Sequence, residues 1–165
     1  YGLENLKKKV KIPLTGIKLA WYYGCHIARP SKFVKQHQES DNPKNFEELI
    51  KAIGAIPIDL PEKLDCCGFH STLMNKDASG KMSGKYLNSA KNNNADVVVT
   101  NCPFCHMQMD LYQKNSEKAI GYKLDMPIMH MSQLICLALG VPFSEIGAER
   151  HIVQLPEKIR KKFSK

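Results

Sequence analysis

The sequence lacks a hydrophobic run long enough to cross a bilayer. Its longest apolar stretch, LICLALGVPF at 134–143, has ten residues, about half of the roughly 20 that a membrane-spanning helix needs. We expect no secretory leader ahead of the fold. We also expect a segment of a longer polypeptide, because the chain begins with Tyr1 rather than Met. These features predict a soluble, cytoplasmic protein without a transmembrane segment.

The sequence also lacks the motifs of nucleic-acid-binding proteins, although its formal net charge is +8. Residues 1–18 carry five Lys against one Glu, and residues 157–165 carry five Lys or Arg against one Glu. The stretch between them holds fourteen charges of each sign. A basic excess confined to the ends is typical of solvated tails or of a docking surface for an acidic partner. We therefore predict no nucleic-acid partner and one domain over 1–165, with peripheral ends at 1–16 and 156–165.

A phosphate-binding loop is missing as well. Gly80 and Gly84 stand close together in SGKMSGK, but the G-x-x-x-x-G-K-[ST] spacing of a P-loop is absent. We therefore predict no nucleotide site at these glycines.

Short apolar runs alternate with segments of helical character along the chain. We predict strands at 17–24, 56–60, 95–101 and 126–131. The third is a continuous β-branched run, which is typical of a buried parallel strand, and the segment 102–115 after it is predicted as one helix. The alternation predicts an α/β fold, a mostly parallel sheet of about four strands flanked by helices.

Five of the six cysteines follow predicted strands. Cys25 comes after the first strand, Cys66 and Cys67 come shortly after the second, and Cys102 and Cys105 come after the third. Because ligands of such sheets bind at the carboxyl ends of the strands, we expect these thiols together at that edge. Cysteines without a secretory signal indicate a reducing compartment, where clustered thiols usually bind metal or do redox work.

The cysteine pattern allows three kinds of chemistry. The CxxC of Cys102 and Cys105 is also found in thioredoxin-like dithiols, but a dithiol does not require three further cysteines. Four of the five would complete a tetrahedral zinc site, although adjacent side chains such as Cys66 and Cys67 tend to point apart. An iron–sulfur cluster is wider, and Gly68 would let the backbone turn both sulfurs the same way. The pattern therefore favours iron–sulfur, with zinc and a redox dithiol as alternatives.

The sequence segments around these cysteines resemble those of a known family. They are YYGCHIARP, DCCGFHSTLMN, VVVTNCPFCHMQMD and MHMSQLICLALG. In this order they are similar to the C-terminal domain of the heterodisulfide reductase subunit that carries two cysteine-rich CCG domains in tandem, and to its relatives. The resemblance covers nearly the whole chain, and it implies one CCG domain of a longer, two-domain subunit.

The resemblance implies a cofactor and a reaction. In such a domain a non-cubane [4Fe–4S] cluster is held by five cysteines, which here are Cys25, Cys66, Cys67, Cys102 and Cys105. Some family members carry zinc, so zinc is an alternative in an isolated fragment. The implied function is an oxidoreductase subunit that passes electrons to, or reduces, a disulfide-type substrate.

Related CCG subunits imply two alternative functions. They occur in atypical succinate or methylmenaquinol:fumarate reductases, where the role is electron transfer or anchoring, and a zinc-bound docking module is the third interpretation. The implied partners are iron–sulfur and flavoprotein subunits, together with a disulfide or thiol small molecule or a quinone-linked electron chain. Peripheral association with a membrane would come through these partner subunits.

Three histidines stand next to the cysteine motifs. His26 follows Cys25 and is our candidate catalytic residue, since it could deliver a proton to a leaving thiolate. His70 and His106 flank the other motifs and could hydrogen-bond cluster sulfurs. For each of the three, a solvent-facing histidine is the alternative.

The remaining candidates have simpler interpretations. Cys136 lies in an apolar helical pattern and is predicted to be a core residue, because free cysteine is often buried. Arg29 and Lys32 follow Cys25 and are interpreted as loop residues rather than as an anion-binding pair.

Overall fold

Four short apolar strands pair into the central sheet of the molecule. The computed structural model describes residues 2–28 and 43–163. The strands are β1 (Lys18–Tyr22), β2 (Ile56–Ile58), β3 (Val97–Thr100) and β4 (Ile128–His130). Their order is β2-β1-β3-β4, and every neighbouring pair is parallel. The predicted α/β class and four-stranded parallel sheet are confirmed.

Helices connect and cover these strands. The α-helices are α1 (Leu3–Lys9), α2 (Cys25–Ala28), α3 (Asn45–Ala52), α4 (Lys76–Asn92), α5 (Pro103–Asp110), α6 (Gln113–Ile120), α7 (Met131–Ala138) and α8 (Glu157–Lys162). Short 3₁₀ turns lie at Pro61–Leu64, Phe69–Ser71, Phe143–Glu145 and Ala148–Arg150. None of the helices within residues 2–28 and 43–163 has the length and apolar character needed to cross a membrane.

The segment after β3 forms two helices, so the prediction of one helix over 102–115 is wrong. α5 ends at Asp110, and α6 begins at Gln113. The side chain of Gln113 is buried, and its Nε2 donates to the carbonyl of Met109 at 2.7 Å and to that of Met126 at 2.8 Å. In a continuous helix, the Met109 carbonyl would accept from the backbone N–H of Gln113. Here it accepts from the Gln113 side-chain amide instead.

Alternate strand residues face two apolar layers, one on each side of the sheet. Leu19 and Trp21 join the layer of α3 and α7, whereas Ala20 and Tyr22 join the layer of α4. The described parts of the two basic ends belong to the first layer. Leu6, Val10, Ile159 and Phe163 pack into it, and Lys162 Nζ donates to the Thr15 carbonyl at 3.0 Å.

Two glycines of α4 allow a close approach between α4 and α6. A Cβ on Gly80 would lie 2.7 Å from the Asn115 carbonyl oxygen, and a Cβ on Gly84 would lie 2.8 Å from Ile120 Cγ2. Between them, the hydroxyls of Ser83 and Ser116 hydrogen-bond at 2.7 Å. The SGKMSGK segment therefore packs one helix against another, which agrees with the absence of a P-loop.

We expect Gly80→Ala to destabilise the fold. The added methyl gains about 1 kcal/mol of helix propensity, but it meets backbone rather than a movable side chain, and overpacking of this kind costs about 1–3 kcal/mol. Urea unfolding followed by the fluorescence of Trp21 measures the difference. Lys81→Ala, an exposed change on the same helix, is the control, and a Gly80→Ala protein as stable as that control would contradict the tight packing.

The parallel orientation brings the carboxyl ends of all four strands to one edge of the sheet. Gly24 and Cys25 follow β1 there, and Asn101 and Cys102 follow β3. The segment after β2 reaches the same edge through the 3₁₀ turn Pro61–Leu64. The cysteine loops are therefore neighbours in space, as the predicted topology requires.

Candidate metal centre

Five free cysteine thiols border one cavity of about 230 Å³ at the carboxyl edge of the sheet. They are Cys25, Cys66, Cys67, Cys102 and Cys105. Cys67 and Cys105 are buried, and the other three are half-buried. The structure therefore brings together every cysteine that the sequence proposes as a ligand.

The first cysteine loop is held by backbone hydrogen bonds to the segment before the second. The N–H groups of Tyr23 and Gly24 both donate to the Lys63 carbonyl, at 2.9 and 3.1 Å. Gly24 has φ +69°, and a Cβ at this position would lie 3.1 Å from the Cys105 sulfur. A glycine is therefore required where the backbone passes the thiols.

A buried ionic network lies behind this loop. Lys63 and Glu47 are only 5% and 8% exposed. Lys63 Nζ donates to Glu47 Oε1 at 2.9 Å and to Asp59 Oδ1 at 2.8 Å, and the Tyr23 hydroxyl donates to Glu47 Oε2 at 2.5 Å. Because Tyr23 also lines the cavity, the network fixes one of its walls.

The second loop turns at Gly68, which has φ +82°. Its N–H donates to the Cys66 sulfur at 3.4 Å, and a Cβ there would lie 2.9 Å from the Ser79 carbonyl oxygen. Thr72 anchors the end of the loop through bonds to Ser79 Oγ at 2.8 Å and Gln108 Oε1 at 2.6 Å. The glycine allows Cys66 and Cys67 to border the same cavity, as the sequence predicts.

The third loop joins β3 to α5. Cys102 is the N-cap residue, and Pro103 is the first helical residue, the position that a proline ring suits. The Cys102 N–H donates to Thr100 Oγ1 at 3.3 Å. Both thiols of the CxxC therefore lie at the amino-terminal end of α5.

The thiols of the three loops interact with one another. A hydrogen bond with the Cys105 thiol lowers the pKa of Cys67 to about 7, against the opposing effect of burial. The same hydrogen bond and burial raise the pKa of Cys105. Burial and the neighbouring Cys66 raise the pKa of Cys25. Burial, followed by the nearby Cys67 and Cys105 thiols, raises the pKa of Tyr22, whose hydroxyl donates to the Asp65 carbonyl.

The donor set fits a thiolate-bound cluster better than a single ion. In the described ranges, no three Cys, His, Asp or Glu side chains meet to hold one metal ion. The thiols instead surround a space, and soft thiolate ligands suit iron–sulfur clusters. Metal binding removes the thiol protons, so the hydrogen bonds between thiols would be replaced by bonds to iron.

A family model for a cysteine-rich domain named CCG matches residues 19–110. The chain belongs to the CCG family of cysteine-rich domains. The matched region contains all five cysteines of the cavity and excludes Cys136. The resemblance seen in the sequence around the cysteines is confirmed.

Similarity to curated proteins extends beyond the matched region. The CCG domain is 41% identical over 152 residues to the 8-methylmenaquinol:fumarate reductase membrane anchor subunit of Wolinella succinogenes, covering 92% of this chain and 53% of that protein. It is 36% identical over 162 residues to a subunit of the ferredoxin/F420H2-dependent CoB-CoM heterodisulfide reductase of Methanosarcina acetivorans, covering 97% and 53%. The chain thus spans about half the length of these curated relatives.

A solved structure shares the fold of the CCG domain. It is a crystal structure of a hypothetical protein from Helicobacter pylori, with a TM-score of 0.67 and 12% sequence identity. The match covers 93% of this chain and 28% of that one. At this identity the likeness concerns the fold alone.

Aromatic rings border the open side of the cavity in the CCG domain. His26 and His70 stack with ring centroids 5.7 Å apart, and Phe69 and Phe104 stack at 4.8 Å. His26, His70 and Phe104 are exposed, so they form a solvent-facing part of the cavity wall. Both histidines proposed from the first two cysteine motifs are at the cavity.

His106 lies elsewhere, so the expectation that it contacts the cluster sulfurs is wrong. It lines a second cavity of about 430 Å³, together with His130 and His151. The ring centroids of His106 and His151 lie 4.8 Å apart. Burial, with smaller contributions from His151, lowers the pKa of His106 to about 4. Pro103, His106, Met107, Asp110 and Leu111 line this cavity, and their helical spacing would have predicted a shared face.

The other candidates from the sequence do not join the site. Cys136 is a half-buried free thiol on α7 and does not line the cavity. It is thus less buried than predicted for a core residue. Arg29 and Lys32 lie outside the described residues.

Sequence reasoning missed part of the cavity wall. Tyr23, Phe69, Asn101 and Phe104 line the cavity with the cysteines. Each is within two residues of a cysteine in the sequence, and that proximity was the available signal.

The apolar residues Leu73 and Met74, beyond the second loop, are 90% and 92% exposed.

Proposed function

We propose that this CCG domain is the iron–sulfur-binding part of a heterodisulfide-reductase-like complex, which passes electrons to, or reduces, a disulfide-type substrate. The observation that carries the proposal is the meeting of five thiols from three loops around one cavity. The similarity to a heterodisulfide reductase subunit supports it. In this proposal the five cysteines hold a [4Fe–4S] cluster of the non-cubane type.

The residues of the chain have distinct tasks in this proposal. A bound cluster would supply one-electron transfer and iron that a substrate sulfur can reach. Gly24 leaves room beside the Cys105 thiol, and Gly68 lets the second cysteine loop turn closely against Ser79. An imidazole N–H of His26 donates a proton to the sulfur of the departing thiolate, and the stacked His70 ring holds His26 at the opening.

A second candidate function is an electron-transfer or anchoring subunit of a fumarate-reductase-type complex. It is favoured by the 41% identity to a methylmenaquinol:fumarate reductase subunit. In that role the domain would bind flavoprotein and iron–sulfur subunits, which would hold it at the membrane, and it would have no disulfide substrate of its own.

Anaerobic analysis of iron and acid-labile sulfide, combined with EPR spectroscopy, tests the cluster. We expect equal amounts of iron and sulfide, and an EPR signal that changes when a small thiol is added under oxidising conditions. If the EPR signal did not change when the thiol was added, and the protein co-purified with a flavoprotein, the electron-transfer or anchoring function would be favoured. Stoichiometric zinc without iron or sulfide would overturn both and leave the zinc-bound docking module.

A further inference from the structure

Asn101 has a polar atom that the fold leaves without a partner. The residue lies between the end of β3 at Thr100 and the N-cap Cys102, and it lines the cavity with the five cysteines. Its Oδ1 is buried and has no hydrogen-bond partner in the described part of the chain. Buried polar atoms are nearly always paired in folded proteins, so an orphan at a binding cavity calls for an explanation.

The chemistry of the cavity indicates what the amide would bind. A primary amide has two N–H donors and one acceptor, and a rotation of 180° about its bond to Cβ exchanges them. The thiolates that would hold a cluster, and the sulfides within it, are acceptors only. The Asn101 position can therefore present a donor to sulfur, and an acceptor-only carboxylate at the same position could not.

We propose that Asn101 donates a hydrogen bond to a sulfur of the bound cluster and raises its reduction potential. This inference rests on the proposed function, since it requires the cluster. A reduced cluster carries more negative charge than an oxidised one, so a donor stabilises the reduced form more. Without the cluster, the Oδ1 of the same amide is a buried oxygen without a partner, which weakens the fold.

The inference predicts effects of opposite sign in the two forms of the protein. Asn101→Leu, which has similar size and no polar atom, should raise the melting temperature of the cluster-free chain. In the loaded protein it should lower the midpoint potential and speed the loss of iron to a chelator by about 10-fold, the lower end for partners that support metal ligands. If Asn101 only supported the fold, Asn101→Leu would lower the melting temperature of both the cluster-free and the loaded protein.

The experiment is an EPR-monitored potentiometric titration of the loaded protein, with thermal unfolding of the cluster-free chain. Midpoint potentials should fall in the order wild type, then Asn101→Ala and Asn101→Leu, then Asn101→Asp, whose carboxylate repels the sulfurs. If the larger leucine disturbs the loop, the potential of Asn101→Ala is used in its place. Asn88→Leu, a half-buried asparagine on α4 away from the cavity, should leave the potential unchanged.

The possible failures are distinguishable. A wild-type protein without iron and sulfide would overturn the proposed function, and this inference with it. A loaded wild type whose potential equals that of Asn101→Ala and Asn101→Leu would overturn the inference alone. A lower melting temperature of cluster-free Asn101→Leu would show that the amide is satisfied within the fold, which also overturns it.

Discussion

Cys67→Ser is expected to lose most of its bound iron, with retention at least ~10-fold weaker than in the wild type, because Cys67 is a proposed ligand and supporting residues alone change metal affinity by about 10-fold or more. The Cys67 side chain is buried at the cavity and hydrogen-bonds to Cys105. A serine hydroxyl is harder and far less acidic than a thiol, so it is a poor ligand for iron. Iron and sulfide content after anaerobic gel filtration, together with the EPR spectrum, measures the loss.

Cys136→Ser is the matched control for this experiment. Cys136 is also a free cysteine, but it lies on α7 and does not line the cavity. We expect its iron content and spectrum to equal those of the wild type. If Cys67→Ser kept the wild-type spectrum, five-cysteine ligation would be wrong, and a four-cysteine site without Cys67 would replace it.

Lys63→Met is expected to lower the free energy of unfolding by about 3–5 kcal/mol, because it leaves a buried carboxylate without its cation. Lys63 Nζ contacts Glu47 Oε1 at 2.9 Å, and both side chains are almost fully buried. Urea unfolding of the cluster-free chain, followed by the fluorescence of the single tryptophan, Trp21, measures the change. The double variant Lys63→Met/Glu47→Gln should recover part of the loss.

The control for this change is Lys85→Met. Lys85 Nζ lies 3.0 Å from Asp65 Oδ2, but both side chains are exposed to solvent, so no measurable change in stability is expected. If Lys63→Met unfolded at the same urea concentration as Lys85→Met, the buried pair would have no net role in the fold.

The Lys63 pair also predicts how stability depends on pH. Burial lowers the pKa of Lys63, but hydrogen bonds to Asp59 and Glu47 outweigh it, so the pKa is raised above 10.5. A folded pKa above the unfolded one means that the contribution is complete below pH 10.5 and is lost as the pH rises through the folded value. The stability difference between wild type and Lys63→Met should therefore stay constant from neutral pH up to about pH 10.5 and shrink only above that.

The sheet and its cysteine edge could be predicted because their causes are local. The β-branched run Val97–Thr100 is buried on both faces, which is typical of a central parallel strand. Pro103 marked the first residue of α5, and Gly68 marked a positive φ. Each of these signals comes from the conformational limits of one or two residues, so no knowledge of distant contacts was needed.

The features that were missed depend on contacts between distant segments. Lysine is rarely buried, and nothing in the sequence near Lys63 shows that Glu47 would meet it. The break between α5 and α6 depends on Gln113, whose amide reaches Met126 across a turn. His106 was misplaced because its neighbour Cys105 faces the cavity, whereas consecutive helical residues point about 100° apart.

The pairing of β1 with β3 has a consequence for the order of events in synthesis. Leu19 lies opposite Val97 and Tyr22 lies opposite Thr100, so this part of the sheet does not exist until the ribosome has passed residue 100. Such distant parallel pairings form slowly, because the closure of a long loop precedes any gain from contacts. A nascent chain that ends before Cys102 can therefore offer three of the five thiols, and none in its final setting. A cluster that needs all five thiols, as proposed, would then be inserted only after Cys105 has been synthesised.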